Sequence, residues 1–234
     1  MEALNEVNAE CREYDAKSIA TTEDCAAVSA VFDFAASTGK TLESKINEIK
    51  DADCYLLIGE DTTKDHQVVS FFAKRQIPNG AKLIQISEIT TGFDNFSNES
   101  LTIPNKSQPA LIDAINTLIT NKTDAVEKIA KSFNINTSAL ENTVEILSTA
   151  NKVAIIFGSR ANFDNSKSIL KSVVSLNIQL NGKMISTKGN INSFGASAIG
   201  INSTLNVGGS ELIIMALGDE NLPQGFSRKF EKAP

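Results

Sequence analysis

The chain has 234 residues, 41% of them hydrophobic and 21% charged, with a formal net charge of -6, enough for one large or two small domains around a sizeable core. The negative balance, and the lack of any basic cluster interleaved with aromatics, argue against a nucleic-acid partner. No apolar run approaches the roughly 18 residues a membrane span needs, and the N-terminus, charged with both signs and without an apolar core, does not read as a signal peptide.

The three cysteines, Cys11, Cys25 and Cys54, are widely spaced. Zinc and iron–sulfur sites need about four ligands, often in close pairs, and three is an awkward number for a disulfide framework. A reducing, cytoplasmic setting fits best. His66 is the single histidine, so histidine-rich metal sites and Ser-His-Asp triads find little support.

In chain order, five segments read as strands: CYLLIG (54–59), AKLIQIS (81–87), SLTIP (100–104), VAIIFGS (153–159) and LIIMALG (212–218). Three are near-continuous apolar runs, as expected of strands covered on both faces in a parallel sheet. Helical patterns lie between them. PALIDAINTLIT carries its apolar residues on one helical face, Asp124/Glu127 and Ser138/Glu141 have capping-box spacing, and NSKSILKSVVSLNIQL reads as a further amphipathic helix. Alternating strands and helices predict an α/β fold: a mainly parallel, Rossmann-like sheet covered by helices on both faces and joined by right-handed crossovers.

The expected organisation is an α/β nucleotide-binding-like domain over 1–180, a Gly/Asn-rich loop over 181–210, and the start of a further strand–helix unit over 211–234. Residues 88–107 are polar and turn-rich. The 181–210 region reads either as a structured loop approaching a ligand or as an interdomain connection. The last strand and helix have no closing strand, as expected of a piece of something longer.

The succession IKDADCYLLIGEDTTKDHQVV, NGAKLIQIS, KVAIIFGS, LNGKM, KGNINSFGASAIG and ELIIMALGDE resembles the molybdopterin oxidoreductase superfamily. The nearest resemblance is to the large subunit of formate dehydrogenases and the related large iron–sulfur subunit of NADH-quinone oxidoreductase. It extends from about residue 5 to the end, and the order and spacing of the motifs are more specific than any one of them. It implies a middle section of a longer subunit whose two pterin guanine dinucleotides hold one molybdenum or tungsten. The remaining domains of the same subunit, and iron–sulfur or NADH-oxidising subunits, would be its partners. This segment alone is expected to be inactive and to bind no cofactor.

The resemblance also implies site residues. The metal-ligating cysteine or selenocysteine falls on Cys25, followed by Ala26 where the family has histidine. The formate-orienting arginine falls on Lys188, which keeps the charge and loses the bidentate fork. The other reading of Cys25 is a small buried hydrophobe on a helix, and of Lys188 a surface cation. The dinucleotide positions fall on Gly59, Glu60, Asp61, His66, Ser87, Gly158, Ser159, Asn192 and Gly195, with Gly200 in the same loop as the last two and Arg160 either reaching a phosphate or exposed. Gly59 allows close backbone approach, and a helix beginning near Asp65 would offer its positive end. Glu60 and Asp61 would repel a phosphate. An alternative is a non-catalytic structural module of a complex I-like subunit, with the fold kept and the chemistry lost. A free-standing nucleotide-binding domain would need a glycine-rich phosphate loop after the first strand, and none is present.

Overall fold

The computed structural model describes residues 2–14, 16, 19–20, 31, 34–37, 39, 44–59, 61–121, 125–158, 166–187, 193–201 and 212–215. Contacts divide the chain into two units, one formed by Met1–Phe32 with Gly189–Pro234 and the other by Asp33–Lys188.

In the first unit, α1 spans Glu2–Glu13 and a short α8 spans Ser193–Ala198. The Asn8 amide donates to the Ile199 carbonyl at 3.3 Å.

The second unit runs β1 (Cys54–Ile58), α2 (Thr62–Asp65), α3 (Gln67–Gln76), β2 (Lys82–Ser87), β3 (Glu99–Thr102), α4 (Gln108–Asn121), α5 (Val126–Phe133), α6 (Thr137–Thr149), β4 (Val153–Gly158), α7 (Ser166–Gln179) and β5 (Lys183–Thr187). All five strands are parallel, in the order β3-β2-β1-β4-β5. The expected α/β fold with a parallel, Rossmann-like sheet is therefore present.

Both sheet faces are buried. On one, Tyr55 and Leu57 of β1, Leu83 of β2, and Ala154 and Ile156 of β4 cluster with Ile49, Val69, Ala73 and Phe93, so that α3 lies on this side. The alternate residues Cys54, Leu56, Ile58, Ile84, Ile86, Ile155 and Phe157 are equally buried on the other. The crossovers β3→β4 and β4→β5 run opposite to β1→β2, so right-handedness assigns α4 and α7 to this second face. These helices pack on each other, and each carries a buried row, Leu111 and Ile115 on α4 and Ile169 and Val173 on α7. Each fully buried Leu or Ile contributes roughly 1.5–3 kcal/mol of transfer free energy. Burial also pushes the Cys54 thiol up to about 12, with a smaller contribution from the Asp53 charge, which leaves it protonated and unreactive at neutral pH.

Several expectations need correction. The fifth strand is Lys183–Thr187, inside the segment read as a Gly/Asn-rich loop. Its short KMIST sequence gains strand structure by pairing with β4 from Ala154↔Lys183 to Gly158↔Thr187. The predicted strand LIIMALG is not one over its described part. Residues 212–215 have no strand structure, and Leu212 and Ile214 are 77% and 79% exposed, because an apolar run becomes a strand only where a partner backbone accepts its hydrogen bonds. Helix α6 begins two residues earlier than the Ser138/Glu141 box implies. Its cap is Asn136, whose side chain accepts from the Ser138 and Ala139 N–H groups, the preferred geometry for Asn in an extended cap position. Asp124 lies outside the described residues, and the cap position of α5 is Ala125, with no side-chain cap bond.

Candidate functional site

The strand order reverses between β1 and β4: β2 and β3 lie beyond β1, and β5 lies beyond β4. In open α/β sheets ligands bind outside the carboxyl ends of the strands at such a switch point. There β1 gives way to Gly59 and β4 ends at Gly158. Gly59 is buried, has φ of 77°, and donates its N–H to the Ile86 carbonyl at 2.8 Å. That backbone conformation is open to glycine at little cost and strained for most other residues. Beside it, Gly158 pairs with Thr187, whose hydroxyl donates to the Phe157 carbonyl at 3.1 Å. β4 therefore ends on a residue without a side chain, and β1 is followed at once by another.

The segment after Gly59 is built around Asp61, which is 3% exposed. Its Oδ1 accepts from the Thr63 hydroxyl at 2.6 Å and the Thr63 N–H at 3.2 Å, which caps α2. The same oxygen accepts from the Gly92 N–H at 3.2 Å, across 31 residues of sequence. Oδ2 is buried and forms an ion pair with the exposed Lys64 ammonium at 3.3 Å, without hydrogen-bond geometry. Burial pushes the Asp61 carboxyl up, but the Thr63 hydroxyl, the Gly92 N–H, Lys64 and the Thr63 N–H together outweigh it and hold the group below the usual carboxylate range. The carboxylate expected to repel a phosphate is thus turned inward and compensated.

The loop from β2 to β3 is held as firmly. Gln85, a polar residue between Ile84 and Ile86 in β2, is 1% exposed. Its amide donates to Asp94 at 2.9 Å and to the Ser97 hydroxyl at 2.6 Å, and its carbonyl accepts from the Thr91 hydroxyl. Asn98 exchanges bonds with Leu83 on the strand edge, its N–H donating to the Leu83 carbonyl at 2.7 Å and its side chain accepting from the Leu83 N–H at 2.9 Å. The Ser87 hydroxyl donates to the Ile89 carbonyl at 2.6 Å, so its one proton stays within its own turn. Gln85, Thr91 and Gly92 were not among the expected site residues. A lone glutamine at an inward strand position was the available signal.

The expected single helix near Asp65 is two helices broken at His66, which has φ of -131° and ψ of 59°. The His66 carbonyl accepts from the Val69 and Ser70 N–H groups, and its side chain does not cap α3. A depression of about 340 Å³, lined by Lys64, His66, Gln67, Val68 and Val69, lies at the α3 start, where first-turn amides give an excess of donors and positive potential. A larger cavity of about 490 Å³ lies at the opposite, amino edge of the sheet, lined by residues that include Asp53, Lys82, Glu99, Asn142 and Glu145. Two of its carboxylates are already engaged, Asp53 by the Asn151 and Lys152 N–H groups and Glu99 by the Asn142 amide. Strand direction favours the carboxyl edge as the ligand side despite its smaller depression.

The expected site residues therefore divide. Gly59, Asp61, Ser87 and Gly158 lie at or just beyond the carboxyl ends of β1, β2 and β4, and His66 lies between α2 and α3 in the connection that follows β1. Gly195 lies in α8 and Gly200 just after it, in the other unit. Cys25, Ala26, Glu60, Ser159, Arg160, Lys188 and Asn192 fall outside the described residues. Among the described residues no group of three or more His, Cys, Asp or Glu is placed to hold a metal. Gly59 just after β1 and Gly158 at the end of β4 fit the approach of a nucleotide to the backbone; the described residues offer nothing that fits a molybdenum or tungsten centre.

No protein-family model and no curated protein sequence matches the chain. Solved structures match its fold. The formyltransferase/hydrolase complex from Methylorubrum extorquens, in complex with methylofuran, is similar at a TM-score of 0.50 and 12% identity over 76% of this chain and 48% of that one. Acetylene hydratase from Pelobacter acetylenicus is similar at a TM-score of 0.53 and 16% identity over 67% of this chain and 24% of that one. This chain thus spans about half or less of the lengths of the structures it resembles, and at such identities the likeness is one of fold.

Proposed function

We propose that the chain is a segment of the large subunit of a molybdopterin-dependent oxidoreductase of the formate dehydrogenase type, and that its β1/β4 crevice forms part of a pterin guanine dinucleotide cleft. The observation that carries this reading is the coincidence of two independent lines. The switch point of the sheet lies between Gly59 and Gly158, and the sequence resemblance assigns those same residues to the dinucleotide.

Gly59 and Gly158 would let the nucleotide approach the backbone, and the α3 start would face its phosphate with amide donors. Asp61, already compensated, would add little repulsion. When bound, the cofactor supplies metal-centred redox chemistry. This segment supplies binding and orientation only, and its partners are the remaining domains of its own subunit and iron–sulfur or NADH-oxidising subunits.

Titration of the ¹⁵N-labelled chain with millimolar GDP, followed by amide NMR, tests the reading. The segment alone is not expected to hold the whole cofactor, but GDP needs only the crevice that it carries and should move the Gly59, His66 and Gly158 amides in one weak, saturable process, and NAD should not. Shifts absent from those three positions would sink it. One observation favours the second reading, a structural module that has kept the fold without the cofactor. The Gly59 N–H, the Asp61 carboxylate and the Ser87 hydroxyl are all committed to internal bonds. Unchanged spectra at saturating GDP would be its signature.

A further inference from the structure

Two loops reach the carboxyl edge from β1 and β2, and one side chain joins them. Asp61 Oδ1 binds the Thr63 hydroxyl and N–H on its own loop and the Gly92 N–H on the other. The contact is shaped for this bond. A Cβ added at Gly92 would stand 2.3 Å from the Thr63 hydroxyl oxygen and 3.0 Å from the Thr63 Cβ, so only glycine brings its N–H this close. Behind Gly92 the loop is anchored again, where Thr91, Asp94 and Ser97 converge on Gln85. The β1 loop is tied back at its root by the bond from the Gly59 N–H to Ile86. Between these two anchors, Asp61 Oδ1 bridges to residues 91–97.

We propose that Asp61 is a positioning residue. Its Oδ1 latches the β1 loop to the β2–β3 loop, so that the two form one rigid wall of the crevice and fix the α3 start in place for the phosphate of a nucleotide. This rests on the nucleotide-cleft reading for the ligand; the latch itself does not. The carboxylate acts through Thr63 and Gly92 and does not touch the nucleotide.

Amide NMR and hydrogen exchange on the full chain test the latch, with GDP as the probe. Asp61→Ala should remove the exchange protection of the Gly92 amide, shift its resonance, and weaken GDP binding about tenfold, equivalent to ~1.4 kcal/mol. Asp61→Asn, which keeps an acceptor oxygen and loses the charge, should restore most of the Gly92 protection and bring GDP binding back to within about threefold of the parent chain. Gly92→Ala opens the latch from the other loop and should reproduce the Asp61→Ala effect even if Asp61→Ala itself fails to fold. A Gly92 amide as protected in Asp61→Ala as in the parent overturns the latch whatever GDP does, and so does equal loss in the Ala and Asn variants. A parent chain that ignores GDP while Gly92 responds as described overturns the cleft reading and the nucleotide role assigned to the wall, and leaves the join between the loops established.

Discussion

Residues 88–98 and 181–187 belong to the two regions, 88–107 and 181–210, that read in sequence as turn-rich and loop-like. They end up as opposites. The first is a loop held by side chains, with Gln85, Thr91, Asp94 and Ser97 satisfying one another and Phe93 as its buried apolar anchor. The second is a strand held by backbone. Asn181 closes α7 with φ of 47°, Gly182 donates to the Asn177 carbonyl at 2.9 Å, and β5 follows at once, with Met184 fully buried. Its outer edge is covered by Ser44, whose N–H donates to the Met184 carbonyl at 2.8 Å and whose hydroxyl accepts from the Met184 N–H at 3.2 Å. Composition therefore reports how little apolar surface a segment offers. It does not report whether side chains or a neighbouring strand satisfy the segment's polar groups.

Four measurements test this contrast. The largest effect is expected at Met184. Truncation of this buried strand residue by Met184→Ala should cost roughly 3 kcal/mol in urea unfolding. A loss under about 1 kcal/mol would mean that β5 does not depend on its apolar contact. Next, Gln85→Ala removes the hub of the loop and leaves Thr91, Asp94 and Ser97 without their buried partner, at a cost of roughly 2 kcal/mol. An unchanged unfolding midpoint would show that water replaces the amide freely.

Acid titration is the third. Asp61 has a depressed carboxyl pKa in the folded chain, so the unfolded chain binds its proton more readily. The contribution is complete above the ordinary Asp range, about 3.9, and is lost as pH falls through the depressed folded value. Stability should decline with acid below about pH 4, and Asp61→Asn should flatten part of that decline. Asp53, which burial raises but N–H bonds from Lys152 and Asn151 hold below its ordinary value, and Glu48, lowered chiefly by the Lys45 N–H, contribute to the rest of the decline, so identical acid limbs would mean that Asp61 gains no protection from folding. The smallest effect belongs to Asn181→Gly. Asparagine tolerates the left-handed conformation, so relief of strain and added chain entropy should nearly cancel, within about 0.5 kcal/mol by thermal unfolding.

Much of the fold was legible in the sequence. Apolar runs such as LLI and VAIIF announce strands buried on both faces, and the spacing of Leu111, Ile115 and Leu118 announces a helix face, because both signals come from residues close together in the chain. The fifth strand was misplaced because β-structure depends on a partner. LIIM has the stronger strand sequence and no strand in its described part, whereas KMIST has the weaker one and lies beside β4. The carboxyl edge was legible as a place, from Gly59 and Gly158. The direction of Asp61 was not, because its deciding partner, Gly92, lies 31 residues away.

The class of layers, the helix and strand identities set by local periodicity, and the glycines at the carboxyl ends of β1 and β4 follow from patterns local to the sequence. Tertiary structure decided which edge strand completes the sheet and whether a carboxylate beside the crevice faces a ligand or a loop. Those outcomes turn on hydrogen bonds between segments far apart in the chain, whose partners no local pattern specifies.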